Sequence, residues 1–359
     1  MLGATSTPQS HTPILRTTLI ATILTGVLAI VILAFSWPAV TANPKDVSLA
    51  IAGPETAVTA MENKLKESGS DVFSITIVDN RDEAVTGIES RDYQGAIILG
   101  QEPELLTASA NGAVNQVVAR LEEPLQQGLT AQTQAAAAAA GIPTDKAPEV
   151  KLTVTDIAPY SADDPSGSLL SSAMFPMLLG GMLGGTVIST VVQGTSRRLV
   201  GLGVYALIGG IVLACILQLW FGSIQGDFWT NVTAFTFAIA AISGTLIGCV
   251  SLMGMAGAGL GGAIMMLFAN PISGAALPAQ FLPGAWGTIG QCFPPGAAAT
   301  LVRELSYFPN ANMSFSWLVL LGWITFGVAL TYVGEIRNTR KKDAAIDAAP
   351  AEKEPVKVG

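Results

Sequence analysis

The chain has 359 residues, half of them hydrophobic and only 12% charged, with a formal net charge of −8. A mean hydropathy of +0.52 and 38 glycines, above the soluble average of about 7%, exclude an ordinary soluble domain and set the chain in the membrane class. The three cysteines, Cys215, Cys249 and Cys292, show no CxxC spacing and lie in or beside apolar blocks, which argues for small buried hydrophobes and against a disulfide framework or a zinc site.

A bilayer crossing takes roughly 20 apolar residues, and six runs qualify: 15–36, 168–192, 199–221, 231–251, 254–270 and 314–334. Residues 1–14 form a polar tail that holds the only histidine, His11. The first run reads as a retained span that ends at Trp37 and Pro38 as interfacial anchor and exit. Val40-Thr41-Ala42 leaves the alternative of a cleaved signal peptide, against which the length of the apolar run weighs.

Residues 37–167 are the one soluble-looking region. Val47–Ala52, Phe73–Val78, Gly95–Leu99 and Val150–Ile157 read as strands, and Pro54–Glu67, Arg81–Ser90 and Asn111–Ala140 as helices. Strand alternating with helix predicts a small α/β domain with a mainly parallel sheet. Pro124 is expected to end or kink the long helix, and the alanine run 135–140 before Gly141-Ile142-Pro143 reads as a helix end with its stop. The region holds 19 acidic and 8 basic residues, a balance of −11, which makes nucleic acid or an anionic lipid surface a poor partner for it.

The later runs form a membrane domain, 168–334. The block 231–269 carries no charge and is about twice too long for one crossing; Gly254, Gly257 and Gly259 mark the expected turn. Gly180 with Gly184 and Gly257 with Gly261 have the small-xxx-small spacing of close helix packing, within the chain or across a homodimer seam. Arg16, Arg197, Arg198, Arg337, Arg340, Lys341 and Lys342 fall on one side of the predicted spans and only Arg303 among the short loops on the other. Both termini are therefore expected in the cytoplasm and 37–167 outside the cell, with the tail 335–359 disordered.

Between the last two spans, 270–307 reads NPISGAALPAQFLPGAWGTIGQCFPPGAAATLVRELSY. Its Pro and Gly density forbids a regular spanning helix, so its backbone must lie on protein, line a wet cavity or sit at the interface. Pro278, Pro283, Pro294 and Pro295 start or stop short helices, Trp286 suits interfacial depth, and Arg303 and Glu304 are neighbouring opposite charges available to each other or to a head group. Asn270, Pro271, Gly284, Gly287, Gln291 and Gly296 complete the candidate gate.

The sequence carries no phosphate-binding G-x-x-x-x-G-K-[ST] loop, no G-x-S-x-G elbow and no D-x-D-x-D-G calcium loop, and its only histidine, His11, lies in the polar N-terminal tail, which removes His-based triads and multi-histidine metal sites. No catalytic residue, metal or cofactor is expected. The span centres contain no Asp, Glu, Lys or Arg, which disfavours a proton relay.

Three stretches carry a family resemblance: 84–109 ending in TASANG; Val154-Thr155-Asp156-Ile157-Ala158-Pro159 leading through Asp163-Asp164-Pro165 into the second span; and Trp286-Gly287-Thr288-Ile289-Gly290-Gln291 followed by Phe293-Pro294-Pro295-Gly296-Ala297 and Arg303. In these the chain resembles bacterial integral membrane proteins related to type-2 ABC exporter permeases and to the phage-infection-protein-like (YhgE/Pip) group. The resemblance implies a homodimeric permease driven by a separate cytoplasmic ATPase subunit, with 278–304 dipping into the outer leaflet as a re-entrant exit gate. The turn 193–198 is shorter than the coupling helix of such permeases, so Arg197 and Arg198 would make a minimal ATPase contact. The alternative is a non-transporting envelope protein whose external α/β domain binds a partner or a cell-surface polymer.

Overall fold

The computed structural model describes residues 12–67, 72–143 and 147–347. His11 with most of the N-terminal tail, and 348–359 of the C-terminal tail, lie outside the described residues. The described chain is mostly helical, with a small sheet and five helices long and apolar enough to cross a membrane.

Helix α1 (Ile14–Thr41) continues through Pro38 rather than stopping before it, and the Ala42 amide still bonds the Pro38 carbonyl. Trp37 stands edge-on to Trp286, 5.9 Å between centroids, so it seats on protein. The α/β domain follows. Its strands β1 (Val47–Ala52), β2 (Phe73–Ile77), β3 (Gly95–Ile98), β4 (Glu104–Thr107) and β5 (Thr153–Asp156) lie in the order β2-β1-β3-β4-β5. All pairs are parallel except the β3–β4 hairpin. Strand β4 is invisible as a separate apolar run because only Leu105 and Leu106 in it are apolar and it follows β3 after a short turn. Helices α2 (Glu55–Glu67) and α3 (Arg81–Glu89) connect the first strands.

The predicted helix 111–140 divides into α4 (Ala113–Ala119) and α5 (Glu122–Ala139). The break falls before Pro124, not at it. Pro124 occupies the first turn of α5, where a missing amide costs nothing. The alanine run ends where Gly141 takes φ +72°, the left-handed stop that glycine favours.

Each face of the sheet has its own core. Val47, Leu49, Ile97 and Leu105 pack on α4 and α5 and on Phe281 of the broken segment. Ala50, Ala52, Ala96 and Leu106 belong to a second core that continues through Ile88 and Ala158 into the helical bundle, including Tyr307 and Phe308. Arg81 at the start of α3 holds Glu104 of β4 with two hydrogen bonds, 2.6 and 3.0 Å.

The bundle is arranged around α8 (Phe228–Met253), which buries Phe235, Ile242, Leu246 and Ile247. Against it pack α6 (Ser168–Val191), α7 (Thr195–Ala214, prolonged as a π-helix over Cys215–Trp220) and α12 (Ser314–Asp347). Helix α12 runs parallel to α8: Trp317 meets Phe237 near the start of both, Gly327 meets Gly244 and Gly248 midway, and Gly334 meets Ser251 near the end of α8. A Cβ on Gly248 would stand 2.7 Å from the Gly327 carbonyl oxygen, so glycine is what lets the two backbones touch.

Two sequence expectations change here. The fifth run gives only a 15-residue apolar helix, Met255–Ala269, comprising α9 (Met255–Gly262) and a π-helical continuation. At about 22 Å it falls short of the roughly 30 Å hydrocarbon core. Its limits are Gly254, which alone makes the turn with φ +66°, and Pro271; Gly257 and Gly259 lie inside the helix. Second, α12 does not end at 334. It stays helical to Asp347, because nothing in that stretch breaks a helix.

Substituting Gly327→Ala drives a methyl into the Gly244 backbone and is expected to cost about 1–3 kcal/mol, the usual cost of overpacking. Gly259→Ala, whose Cβ meets nothing within 4 Å, is expected to be neutral or mildly stabilising; thermal unfolding of the solubilised protein distinguishes them. A pH effect also follows from Arg81, whose hydrogen bonds hold the Glu104 carboxyl below its usual range. The stability this provides is present above the unfolded carboxylate range, near pH 4.3, and is lost as pH falls through the depressed folded value. Melting curves taken from about pH 6 down to about pH 3 should flatten in Glu104→Gln.

Candidate functional site at the broken segment

Residues 270–313 fold as short pieces held by one another. Asn270 and Pro271 lead out of the apolar helix into a turn, a single 3-10 turn follows Pro278 (Ala279–Phe281), and Pro283-Gly284 reverses the chain into α10 (Trp286–Gln291). Pro294 and Pro295 then open α11 (Pro294–Tyr307) at its first positions, where proline's missing amides leave no vacancy. Gly287 and Gly290 face the Ala279 and Ile272 carbonyls so closely that any Cβ would collide. Gln291 joins three pieces, donating to the Ser273 carbonyl at 2.7 Å and accepting from the Thr300 hydroxyl at 2.6 Å. The segment is thereby held together by internal contact, the kind of support that irregular chain needs at membrane depth. Aromatic rings close one side: Trp286 meets Trp37 and Phe268, and Phe293 meets Phe268 and Trp323.

The segment is also fastened to the α/β domain. The Asn43 amide bonds the Phe281 carbonyl at 3.0 Å, Tyr160 stands edge-on to Tyr307 at 5.5 Å, and Asn310 donates to Glu89 at 3.0 Å. The strongest tie is Arg91, which donates to Glu304 at 3.0 Å and covers the Phe308 ring at 5.2 Å. Arg91 adopts φ +64°, an uncommon conformation for a non-glycine residue. Glu304 therefore pairs with the domain, 213 residues away in sequence, and not with its neighbour Arg303. Successive residues on α11 point about 100° apart, which sends the two charges to different surroundings.

Two cavities flank the segment. One, of about 440 Å³, lies between it and the domain and is lined by Arg303, Arg91, Tyr160 and Asn111 among others. The other, of about 510 Å³, is lined by Lys45, Thr288, Glu304 and Ser316 among others. Ala279, Gln280, Gln291 and Thr300 line both, so these four residues form the wall between them. Burial pushes the Arg303 guanidinium down from its ordinary value, helped by the charge of Arg91, and pushes Glu304 up against the opposing pull of Arg91. Burial likewise raises the Tyr307 phenol to about 12; its hydroxyl donates to the Ser223 carbonyl.

Other predicted positions have structural partners. Arg198 donates to the Val192 carbonyl at 2.8 Å and to the Ser251 hydroxyl at 3.1 Å, turning inward to join the ends of α6 and α8, whereas Arg197 is exposed. Gly180 accepts the Tyr205 hydroxyl, Gly184 faces the Tyr205 ring, and Gly257 and Gly261 pack on Cys249 and Leu246 of α8. Arg91, Asn111 and Gln280 lie within stretches that the sequence singles out, and Tyr160 just beyond one, but nothing in the sequence marks them as site residues, because only the docking of the domain gives them a role. The chain matches no family model, no curated protein and no solved structure.

Removing one partner of the Arg91–Glu304 pair strands the other charge. Arg91→Met or Glu304→Leu alone is expected to cost about 2–3 kcal/mol. The double variant should lose clearly less than the sum of the two in a double-mutant cycle of denaturant unfolding.

Proposed function

We propose that the chain is the permease subunit of an ABC-type exporter that moves a lipid-like, peptide or other amphipathic substrate outward, in keeping with its resemblance to type-2 exporter permeases. The observation that carries this reading is the wall of Ala279, Gln280, Gln291 and Thr300 between two cavities. The wall stands on a broken segment clamped to a folded domain, which is the arrangement an exit gate requires.

In this reading the chain crosses the membrane six times, with both termini in the cytoplasm and 37–167 outside. The short helix α9 supplies the fifth crossing. Because α8 and α12 are parallel, the chain between them has to return across the bundle, and α9 with the start of the broken segment is the available path. A second copy would cover exposed apolar faces such as Val204, Leu207 and Ile208 of α7. A separate ATPase would meet Arg197 and the basic end of α12, Arg340 and Lys341, since Arg198 is engaged internally. That inward engagement also favours a second reading, a membrane protein of this fold that binds partners through its external domain without being driven.

The experiment has two arms. With Cys292 replaced by serine, Gln280→Cys should react with an impermeant maleimide added outside intact cells, and Arg340→Cys only after permeabilisation; the reverse pattern rules out the outward gate. In the complex purified with its ATPase, Arg197→Glu combined with Arg340→Glu should lower ATP turnover severalfold. Unchanged turnover leaves the undriven reading.

A further inference from the structure

The cavity between the broken segment and the domain has a one-sided chemistry. Its lining contains two arginines, Arg91 and Arg303, and no Asp or Glu, although the region 37–167 that forms much of it carries a balance of −11. No carboxylate belongs to the lining itself, although carboxylates stand behind it: Glu304 on Arg91, Asp164 on the Ser168 amide and Asp156 on the Ser109 amide. Arg91 is neutralised by Glu304. Arg303, by contrast, makes no hydrogen bond or ion pair among the described residues and shares the cavity with the charge of Arg91.

Hydrogen-bond donors on the same walls are also unused. Asn111 is 6% exposed and Gln280 half-buried; the Nδ2 of one and the Nε2 of the other have no partner and lie shut off from solvent just beneath the lining, so each reaches the cavity by a turn of its side chain. Buried amide donors without acceptors cost about 1–3 kcal/mol each, and such groups in native proteins call for an explanation. Both amides and the unpaired guanidinium lack the same thing: oxygen acceptors bearing negative charge. The start of α6 contributes little to this demand, because Asp164 already accepts from the amides of Ser168 and Leu169.

We infer that this cavity is a binding site for a phosphate-bearing head group, with Arg303 as the charge partner and Asn111 and Gln280 as donors to the phosphate or its ester oxygens. A volume of about 440 Å³ exceeds what a bare phosphate fills, leaving room for a polar body such as glycerol attached to it. The inference rests on the lining residues and not on transport. It holds equally for an undriven protein, so its failure and the failure of the exporter reading are separate results.

The test uses the full chain in a neutral detergent and measures binding by titration calorimetry with three probes: dihexanoyl phosphatidylglycerol, inorganic phosphate, and a phosphate-free diglucosyl diacylglycerol. The phosphatidylglycerol should bind and the phosphate-free lipid should bind at least tenfold more weakly. Arg303→Gln should weaken phosphatidylglycerol at least tenfold, Asn111→Leu and Gln280→Leu severalfold each, and exposed Arg120→Gln not at all. Inorganic phosphate binding as tightly as the lipid assigns the site to a free phosphate compound; much weaker binding assigns it to a lipid head group. No binding of either phosphate probe overturns the inference, as does equal affinity in folded Arg303→Gln. Should Arg303→Gln fail to fold, unchanged affinity in both Asn111→Leu and Gln280→Leu overturns it.

Discussion

Helices α8 and α12 lie side by side pointing the same way, and that parallel seam dictates what stands between them. Two parallel neighbours joined in one chain require a return path. Here it is assembled from a helix of 15 residues and a stretch too rich in Pro and Gly to be regular. The seam itself is made by glycine, with Gly244, Gly248 and Gly327 letting backbones meet. Contact of this kind suits a bilayer, where apolar side chains gain little by leaving lipid and packing must come from close approach. In the exporter reading the return path is no plain loop, because amides and carbonyls at membrane depth have no bulk water, a demand that the short helices and the Gln291 junction would meet.

The same stretch ties the α/β domain to the bundle from both faces of its sheet. Phe281 enters the core on one face, while Tyr307 and Phe308 belong to the core on the other. Between these apolar anchors lies the Arg91–Glu304 pair, whose energetic value is ambiguous in the way of buried ion pairs generally: desolvation opposes attraction, and geometry is the dependable gain. The pair orients α11 so that Glu304 is spent on the domain and Arg303 is left facing a cavity. A domain and a membrane bundle that share two cores behave as one packed unit, and displacing the segment disturbs both.

Much of the frame was legible in the sequence. Long apolar runs gave α1, α6, α7, α8 and the membrane part of α12, and strand–helix alternation gave β1, β2, β3, β5 and their helices. Strand β4 escaped because its two leucines stand between Glu104 and Thr107 with neither alternation nor a longer apolar run, and Pro124 misled because a proline that breaks a helix interior is welcome in a first turn. The glycine spacings pointed at packing but could not distinguish one chain from two. For the site, the broken segment was visible from Pro and Gly alone, and Arg303 with Glu304 were identifiable as charges in an apolar setting. Their partners were not. Arg91, Asn111 and Gln280 are ordinary polar residues whose meaning depends on which surface meets which across two hundred residues of chain.

Helix α12 is one uninterrupted rod from Ser314 to Asp347, and midway along it Trp323 donates its indole N–H to the Cys292 carbonyl at 2.8 Å, between α10 and α11. Trp323 and Arg340 are about 26 Å apart along the axis at 1.5 Å per residue. Because the helix has no break between these points, the junction of α10 and α11 and the basic residues Arg337, Arg340 and Lys341 are carried by one rigid element, and any placement of one constrains the other.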